Sequence, residues 1–317
     1  MNEEVMVIQF VHPGFEYTSR KYVGPKKQRS GVMPWKEGLA RHDRKFMWTK
    51  GSAVDPRANQ DLKEVPLTFW GEWEGPSVFW KLDSPGRPLA TIVHAPYRPS
   101  EIPKSSVQNT DPMVFGDSFI YSNCRQGRHS VLRSLPVGSI ILFGRLADPT
   151  TNPYFSLDTC FVVDRVQQLS TIPFDPITYG DDLVEDAALC ALYTEGHHAE
   201  IGVHTGRSRD QGDIFSFFPA SVAEEIPTLF ARPELKPAGA LRDVISPGTQ
   251  ATKMKRRVSL SDRDAIWKEV VGQVVEQGCV LGHYASPPPL LDDDEAEQIA
   301  RSPARPLAQT PKGAAIH

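Results

Sequence analysis

Ser139–Phe143 (SIILF) and Thr159–Asp164 (TCFVVD) decide the fold class. Each is a short run of β-branched and apolar residues bounded by Gly, Pro or Asn, which is the pattern of a buried strand. Leu89–His94 (LATIVH) and Ser118–Ser122 (SFIYS) read the same way. So does Val5–Val11 (VMVIQFV), closed by His12-Pro13-Gly14. The intervals between these runs are too short, or too rich in Pro, for regular crossover helices. That argues against a doubly wound sheet. The fold class expected is α+β, a mixed, mostly antiparallel sheet curling towards a barrel, with C-terminal helices. Proline, 28 of 317 residues, fits many short elements separated by turns.

The helices fall late in the chain. Asp182–Tyr193 carries Leu183, Val184, Ala187, Ala188 and Ala191 at helical spacing. Ser261–Gln277 is the clearest helix. Ser261 is its expected N-cap, with Asp264 at the capping-box position. Ile266, Trp267, Val270, Val271, Val274 and Val275 form one apolar stripe, and Gly278 is placed for the left-handed residue after the helix. Ile214–Phe218 (IFSFF) reads as a further strand. Residues 1–285 are expected as one large domain, β-rich over 1–170 and helix-containing over 171–285. The Pro-rich and acidic residues 286–317 are expected as a mobile tail.

Several chemistries have no support. Four cysteines, at 124, 160, 190 and 279, include no CxxC pair, which excludes a disulfide framework or thiolate zinc site as the organising principle. Glycine-rich phosphate loops, HExxH and GxSxG are absent. His197, His198 and His204 lack a convincing ligand pattern, so no metal or cofactor is expected. Cys124 has Arg125 and Arg128 near it, but a lone Cys is usually a small buried hydrophobe. No apolar run reaches the length of a membrane span, and the start of the chain lacks a basic signal region, so the expected location is cytoplasmic.

The total charge of −4 hides an asymmetry. Residues 20–50 hold ten Lys and Arg against Glu37 and Asp43, a local charge of +8 that leaves −12 elsewhere. Tyr22, Trp35, Phe46 and Trp48 are interleaved with these cations. Cations neutralise phosphates and aromatic faces stack on unpaired bases, so the segment suits a nucleic acid. The alternative is a solvated basic loop wrapping acidic surface of the same chain. Arg125, Arg128, His129 and Arg133, and Lys253–Arg257, form further basic clusters.

Leu67–Trp80 (LTFWGEWEGPSVFW) is the most unusual stretch. On a strand, Trp70, Glu72 and Glu74 share one face, and Phe69, Gly71 and Trp73 the other. Such an aromatic wall with two acids roughly 7 Å apart suits a flipped base, with one acid activating water or stabilising an oxocarbenium-like sugar. The alternative is a twisted strand with Trp in the core and Glu in solvent. His12, His94, Asn123 and Asp164 lie at strand ends that would meet on one rim. The catalytic candidates are therefore Glu72, Glu74, His12 and Asn123. The substrate-binding candidates are Trp48, Trp70, Trp73, Arg41, His42, Arg44, Lys45 and Arg125.

Leu132–Leu146 (LRSLPVGSIILFGRL) followed by Asp158–Val166 (DTCFVVDRV) resembles the core hairpin of PUA-like folds, the group that includes ASCH and EVE domains. Gly138 and Ser139 occupy its turn, with Ser in place of the more typical Asp. The resemblance covers about 35 residues and implies a β-barrel that binds RNA or modified DNA bases in an aromatic pocket. The full length resembles the large proteins of bacterial and phage nucleotide-modification or defence loci. The expected function is a nucleic-acid-acting protein, on DNA before RNA, that holds a modified base and hydrolyses its N-glycosidic bond in the manner of a DNA glycosylase. The alternative is a PUA-like reader without turnover.

Overall fold

The computed structural model describes residues 4–11, 30–34, 44–82, 92–100, 110–122, 132, 135–147, 154–170, 182–189, 200–223, 230–246 and 255–302. Two seven-stranded mixed sheets dominate it. The first contains β1 (Glu4–Val11), β8 (Ile120–Ser122), β9 (Ile140–Ala147), β10 (Tyr154–Ser170), β11 (Glu200–Gly206), β13 (Glu234–Leu235) and β14 (Lys255–Ser259). Its order is β14-β1-β9-β10-β11-β8, with β13 also on β10. The second contains β2 (Ser30–Met33), β3 (Arg44–Asp55), β4 (Gln60–Glu72), β5 (Ser77–Lys81), β6 (Ile92–Pro96), β12 (Phe218–Val222) and β15 (Val280–Ala285). Its order is β15-β12-β4-β3-β6-β5-β2. Only β1–β9 and β3–β6 pair in parallel within them. β7 (Arg98–Pro99) and β16 (Leu290–Leu291) form a short parallel pair apart. Two helices follow, α1 (Leu260–Glu276) and α2 (Asp293–Arg301).

The apolar runs are continuous because both faces of each sheet are covered. Along β1, Val5 and Val7 pack with Ile266, Trp267, Val270 and Val274 of α1. Met6, Ile8 and Phe10 alternate to the other face, where Phe143 and Phe161 meet Met47, Phe69 and Trp73 of the second sheet. The outer face of that second sheet carries Phe46, Trp48, Trp70 and Trp80, which pack with Ala296 and Ala300 of α2. The layers therefore run helix, sheet, sheet, helix.

The expected curl is present as a closed ring: β3 pairs β4, β4 pairs β12, β12 pairs β15, and β15 returns to β3. Two glycines allow the seam to close. A Cβ at Gly51 would lie 2.3 Å from the Tyr284 carbonyl oxygen, and one at Gly282 would lie 2.1 Å from the Phe218 ring. No side chain fits at either position without moving the backbone or the ring.

Four expectations are corrected. Helix α1 is capped by Ser259, whose Oγ accepts from the Asp262 backbone N–H at 3.2 Å, and not by Ser261. Strand β14 runs up to Ser259, and so fixes the start of the helix two residues early. The strand expected at 214–218 begins instead at Phe218. The helix expected over 182–193 is a single α turn, Asp182–Val184, continuing as a π turn, Glu185–Leu189, with 190–193 outside the described residues. Residues 286–302, expected as part of a mobile tail, contribute β16 and α2, because Ala296 and Ala300 find an aromatic face to bury against. Gly278 has the expected positive φ, +87°.

His204 on β11 is fully buried beside the Tyr121 ring, with centroids 5.4 Å apart. Burial pushes its pKa down to about 4, against hydrogen bonding to the backbone of Tyr121 and Leu132. An unfolded imidazole titrates near 6.5, so on acidification the unfolded chain takes the extra proton first. This group leaves stability unchanged above ~pH 6.5 and removes on the order of 3 kcal/mol between there and pH 4. Urea unfolding of the wild type and His204→Phe across that range checks it: the variant should have the flatter profile, and identical slopes would contradict the assignment.

Candidate functional site

The seven described candidates from the sequence all lie inside the protein, divided between the two covered faces of the second sheet. Trp48 is 1% exposed, Trp70 6% and Trp73 0%. Trp70 and Trp73 fall on opposite faces of β4 and its extension, as the alternation requires, yet both faces are covered. The Trp70 indole N–H donates to the Phe230 carbonyl at 3.2 Å, and that of Trp73 to the Pro76 carbonyl at 2.7 Å. These rings are core, not an open base pocket. Glu72 and Glu74 are buried too, contrary to both readings that placed them facing substrate or solvent. Glu72 Oε1 accepts from the Asp111 backbone N–H at 3.1 Å, and the Glu74 backbone N–H donates to Thr110 Oγ1 at 3.1 Å. Asp111 Oδ1 in turn accepts from the Ser122 N–H at 2.9 Å. The Glu72 carboxylate and the Glu74 backbone therefore tie the end of β4 to 110–122.

Arg44 and Lys45, expected as phosphate contacts, also turn inward. Lys45 Nζ donates to the Gly75 carbonyl at 3.0 Å. Arg44 lies opposite Glu72 across β3–β4 and forms an ion pair with Asp158. Arg232 pairs with the same carboxylate at 3.0 Å and stacks 4.4 Å above the Trp70 ring. Asp158 reaches them because it is the extra residue of a β-bulge in β10, where the register with β9 shifts between Leu157 and Thr159. His94, expected at a rim, is buried with Nδ1 3.1 Å from Ser77 Oγ. Asp164 is the bulged residue of β10 against β11. His12, Arg41, His42, Asn123 and Arg125, with Cys124, His197 and His198, lie outside the described residues. Among the described residues no group of three or more His, Cys, Asp or Glu is arranged to hold a metal.

An accessible polar site lies elsewhere, at the seam of the strand ring. A groove of about 380 Å³ is lined by Ser52, Asp61, Lys63, Arg209, Asp210, Gly212 and His283. Two irregularities converge there. In the β15–β3 ladder the register shifts between Gly282 and Tyr284, leaving His283 as the extra residue beside Ser52. In the β3–β4 ladder the shift lies between Gly51 and Ala53, so Lys63 and Glu64 both oppose Ser52. Glu64 has a positive φ of 53°, a strained conformation for a residue with a side chain. Bulges break the inward–outward alternation and re-aim side chains, and here both neighbours of Ser52 on the flanking strands are re-aimed.

The opposite wall is the loop Arg207–Asp213. Its ends are fixed: Arg207 N–H donates to the Val162 carbonyl at 2.7 Å, and Ser216 N–H to the Arg207 carbonyl at 2.8 Å. Inside the loop, Gln211 Oε1 accepts from the Ser208 N–H at 2.7 Å, and Arg207 Nη2 donates to the Gln211 carbonyl at 2.9 Å. Phe215 joins the two walls. The Arg209 guanidinium lies 5.3 Å from its ring centre, and His283 meets it edge-on at 6.2 Å. Phe215 is anchored in turn by the Trp267 indole N–H, 3.0 Å from its carbonyl. Partial burial pulls the His283 pKa below its usual value; Asp61 and Asp210 oppose this, while Arg209 and Lys63 reinforce it. A neutral imidazole, two cations, two carboxylates and a hydroxyl thus face one another on a rigid frame. The sequence reading singled out none of these groove residues, since a bulge leaves no local signature.

The buried ion cluster is structural, and removing the shared carboxylate tests it. Asp158→Asn keeps the shape but withdraws the counter-charge from two buried guanidinium groups, so it should cost roughly 3–5 kcal/mol in chemical denaturation. A loss under about 1 kcal/mol would contradict this role.

Compared with protein-family models, curated proteins and solved structures, the chain has no match.

Proposed function

We propose that the protein binds nucleic acid, DNA in the first instance, by seating a nucleotide unit in the groove between the β3–β4–β15 seam and the Arg207–Asp213 loop. The observation that carries this reading is the convergence of Lys63, Arg209 and His283 on one groove of about 380 Å³. Lys63 and Arg209 are placed to neutralise phosphate, with Arg as a forked donor and Lys as a point charge. Ser52 and the neutral His283 offer further hydrogen bonds. Asp61 and Asp210 suit the amino edge of a base, since a carboxylate accepts only. The volume suits a single nucleotide unit, and a preformed site spends little on ordering when it binds.

Of the two functions expected from the sequence, the reader without turnover is the better supported. Glycosidic hydrolysis was assigned to Glu72 and Glu74, which are 2% and 1% exposed and face inward. The hairpin of β9 and β10, whose sequence resembles PUA-like domains, supports the same class of ligand. No described helix is long and apolar enough to cross a membrane.

Fluorescence anisotropy with short DNA at several salt concentrations tests the reading. Lys63→Ala and Arg209→Ala should each weaken binding roughly three- to tenfold and flatten the plot of log affinity against log salt by about 0.9. Glu72→Gln should leave that slope unchanged. A slope unaltered in both groove variants contradicts the assignment. Free base released during the incubations, and lost in Glu72→Gln, would restore the base-excision reading.

A further inference from the structure

The groove at the strand seam carries both signs of charge on each of its walls. On the β4 side, Asp61 and Lys63 are two residues apart and both line the opening. On the loop side, Arg209 and Asp210 are consecutive and both line it too. They open the single turn Arg209–Gln211, which is fixed at its start by Gln211 Oε1 accepting from the Ser208 N–H at 2.7 Å. His283, also in the lining, feels all four groups: Asp61 and Asp210 act on its imidazole in one direction, Lys63 and Arg209 in the other. Partial burial pulls its pKa below the ordinary value, so near pH 7 it is neutral and adds no charge.

The lining therefore holds two cations and two carboxylates and has no net charge. Among the described residues, the one ion pair made by these four groups joins Arg209 Nη1 to Asp213 Oδ1 at 3.9 Å, and Asp213 lies outside the lining. The four charges are thus not spent on one another.

This pattern discriminates among ligands. A ligand of one sign finds two partners and two groups that repel it. A phosphate on Lys63 and Arg209 leaves Asp61 and Asp210 facing the base, and covering a carboxylate without giving it a donor is costly. A neutral amino edge supplies an ordinary hydrogen bond. A base that is itself a cation supplies a charge-assisted one, roughly twice as strong, and balances the phosphate within the same unit. Bases gain a fixed positive charge when a ring nitrogen is alkylated. Where that nitrogen lies on the pairing edge, the added group also blocks pairing, which lowers the cost of bringing the base out to a protein site.

We propose that the groove selects nucleotides whose base carries a positive charge, the N-alkylated bases of which 3-methylcytosine is one, with the phosphate on Lys63 and Arg209 and the cationic base against Asp61 and Asp210. The proposal rests on the nucleic-acid reading above and names the class of base that the same site prefers. Ser52 and His283 complete the polar lining without repelling the base.

The experiment compares, by fluorescence anisotropy at pH 7, three single-stranded oligonucleotides that differ at one central base: cytosine, 5-methylcytosine and 3-methylcytosine. The two methylated bases carry the same added group, but only the 3-methyl base is a cation. The full chain should bind the 3-methylcytosine strand about fivefold or more tightly than either of the others. Asp61→Asn combined with Asp210→Asn changes two exposed side chains and leaves the core untouched. It should erase the preference while holding the cytosine strand at least as tightly as the wild type does. Lys63→Ala should weaken all three strands alike, and a loss confined to one strand contradicts this division of roles. Equal binding of the 3-methylcytosine and cytosine strands, with Lys63→Ala weakening both, overturns the inference and leaves the nucleic-acid reading standing. A 5-methylcytosine strand held as tightly as the 3-methylcytosine strand overturns it too, because methyl shape and not charge then decides. So does a preference that persists in the double variant. No binding of any strand by any form overturns the nucleic-acid reading with it.

Discussion

The ion cluster of Arg44, Asp158 and Arg232, with Arg232 stacked on Trp70, is the constraint from which much of the molecule follows. It joins the two large sheets, Arg44 from β3 and Asp158 from β10, and it lies almost wholly out of water. Charges in such a place are tolerated only when paired and well oriented, so the local backbone is arranged around them. The bulge in β10 exists where Asp158 leaves the ladder. The tryptophans beside the cluster are then fixed as core. The first residues of β3, the end of the most basic segment, are spent on the interior and are not presented to a ligand.

Much of the fold was legible because it depends on local periodicity. The runs at 5–11, 139–143 and 159–164 are strands with both faces buried, and the stripe from Ile266 to Val275 is the face of α1 that meets the first sheet. The even-and-odd division of Trp70 from Phe69 and Trp73 also held. What could not be read were decisions made by the rest of the molecule. Glu72 and Glu74 look like surface acids, but their surroundings supply the Asp111 backbone donor to Glu72, the Thr110 hydroxyl as acceptor for the Glu74 N–H, and basic neighbours on β3. The acidic residues after Asp292 look like a solvated tail, but two alanines one turn apart find an aromatic face. Ser261 and Ser259 are equally good caps, and only the end of β14 selects between them. The candidate groove was the least legible, since His283 and Lys63 are aimed by register shifts that depend on partner strands distant in sequence.

Those same shifts give the functional proposal its physical basis. A regular ladder at the seam would alternate its side chains in and out; the paired irregularities around Ser52 direct polar groups to one opening, on a ring that Gly51 and Gly282 allow to close. Phe215 and the hydrogen-bonded loop at 207–213 complete the opposite wall. The protein thus separates two uses of charge. Buried Arg, Lys and Glu hold the sheets together, while exposed Lys63, Asp61 and Asp210 and half-buried Arg209 line the groove.

The most direct test of this division is to locate bound DNA on the chain by photo-crosslinking a halogenated oligonucleotide to the full protein and mapping the adducts by peptide mass analysis. The account predicts adducts on the peptides carrying Ser52–Lys63, Arg207–Asp213 or His283. Adducts confined to the segment Trp70–Pro76, with none at the groove, would contradict it.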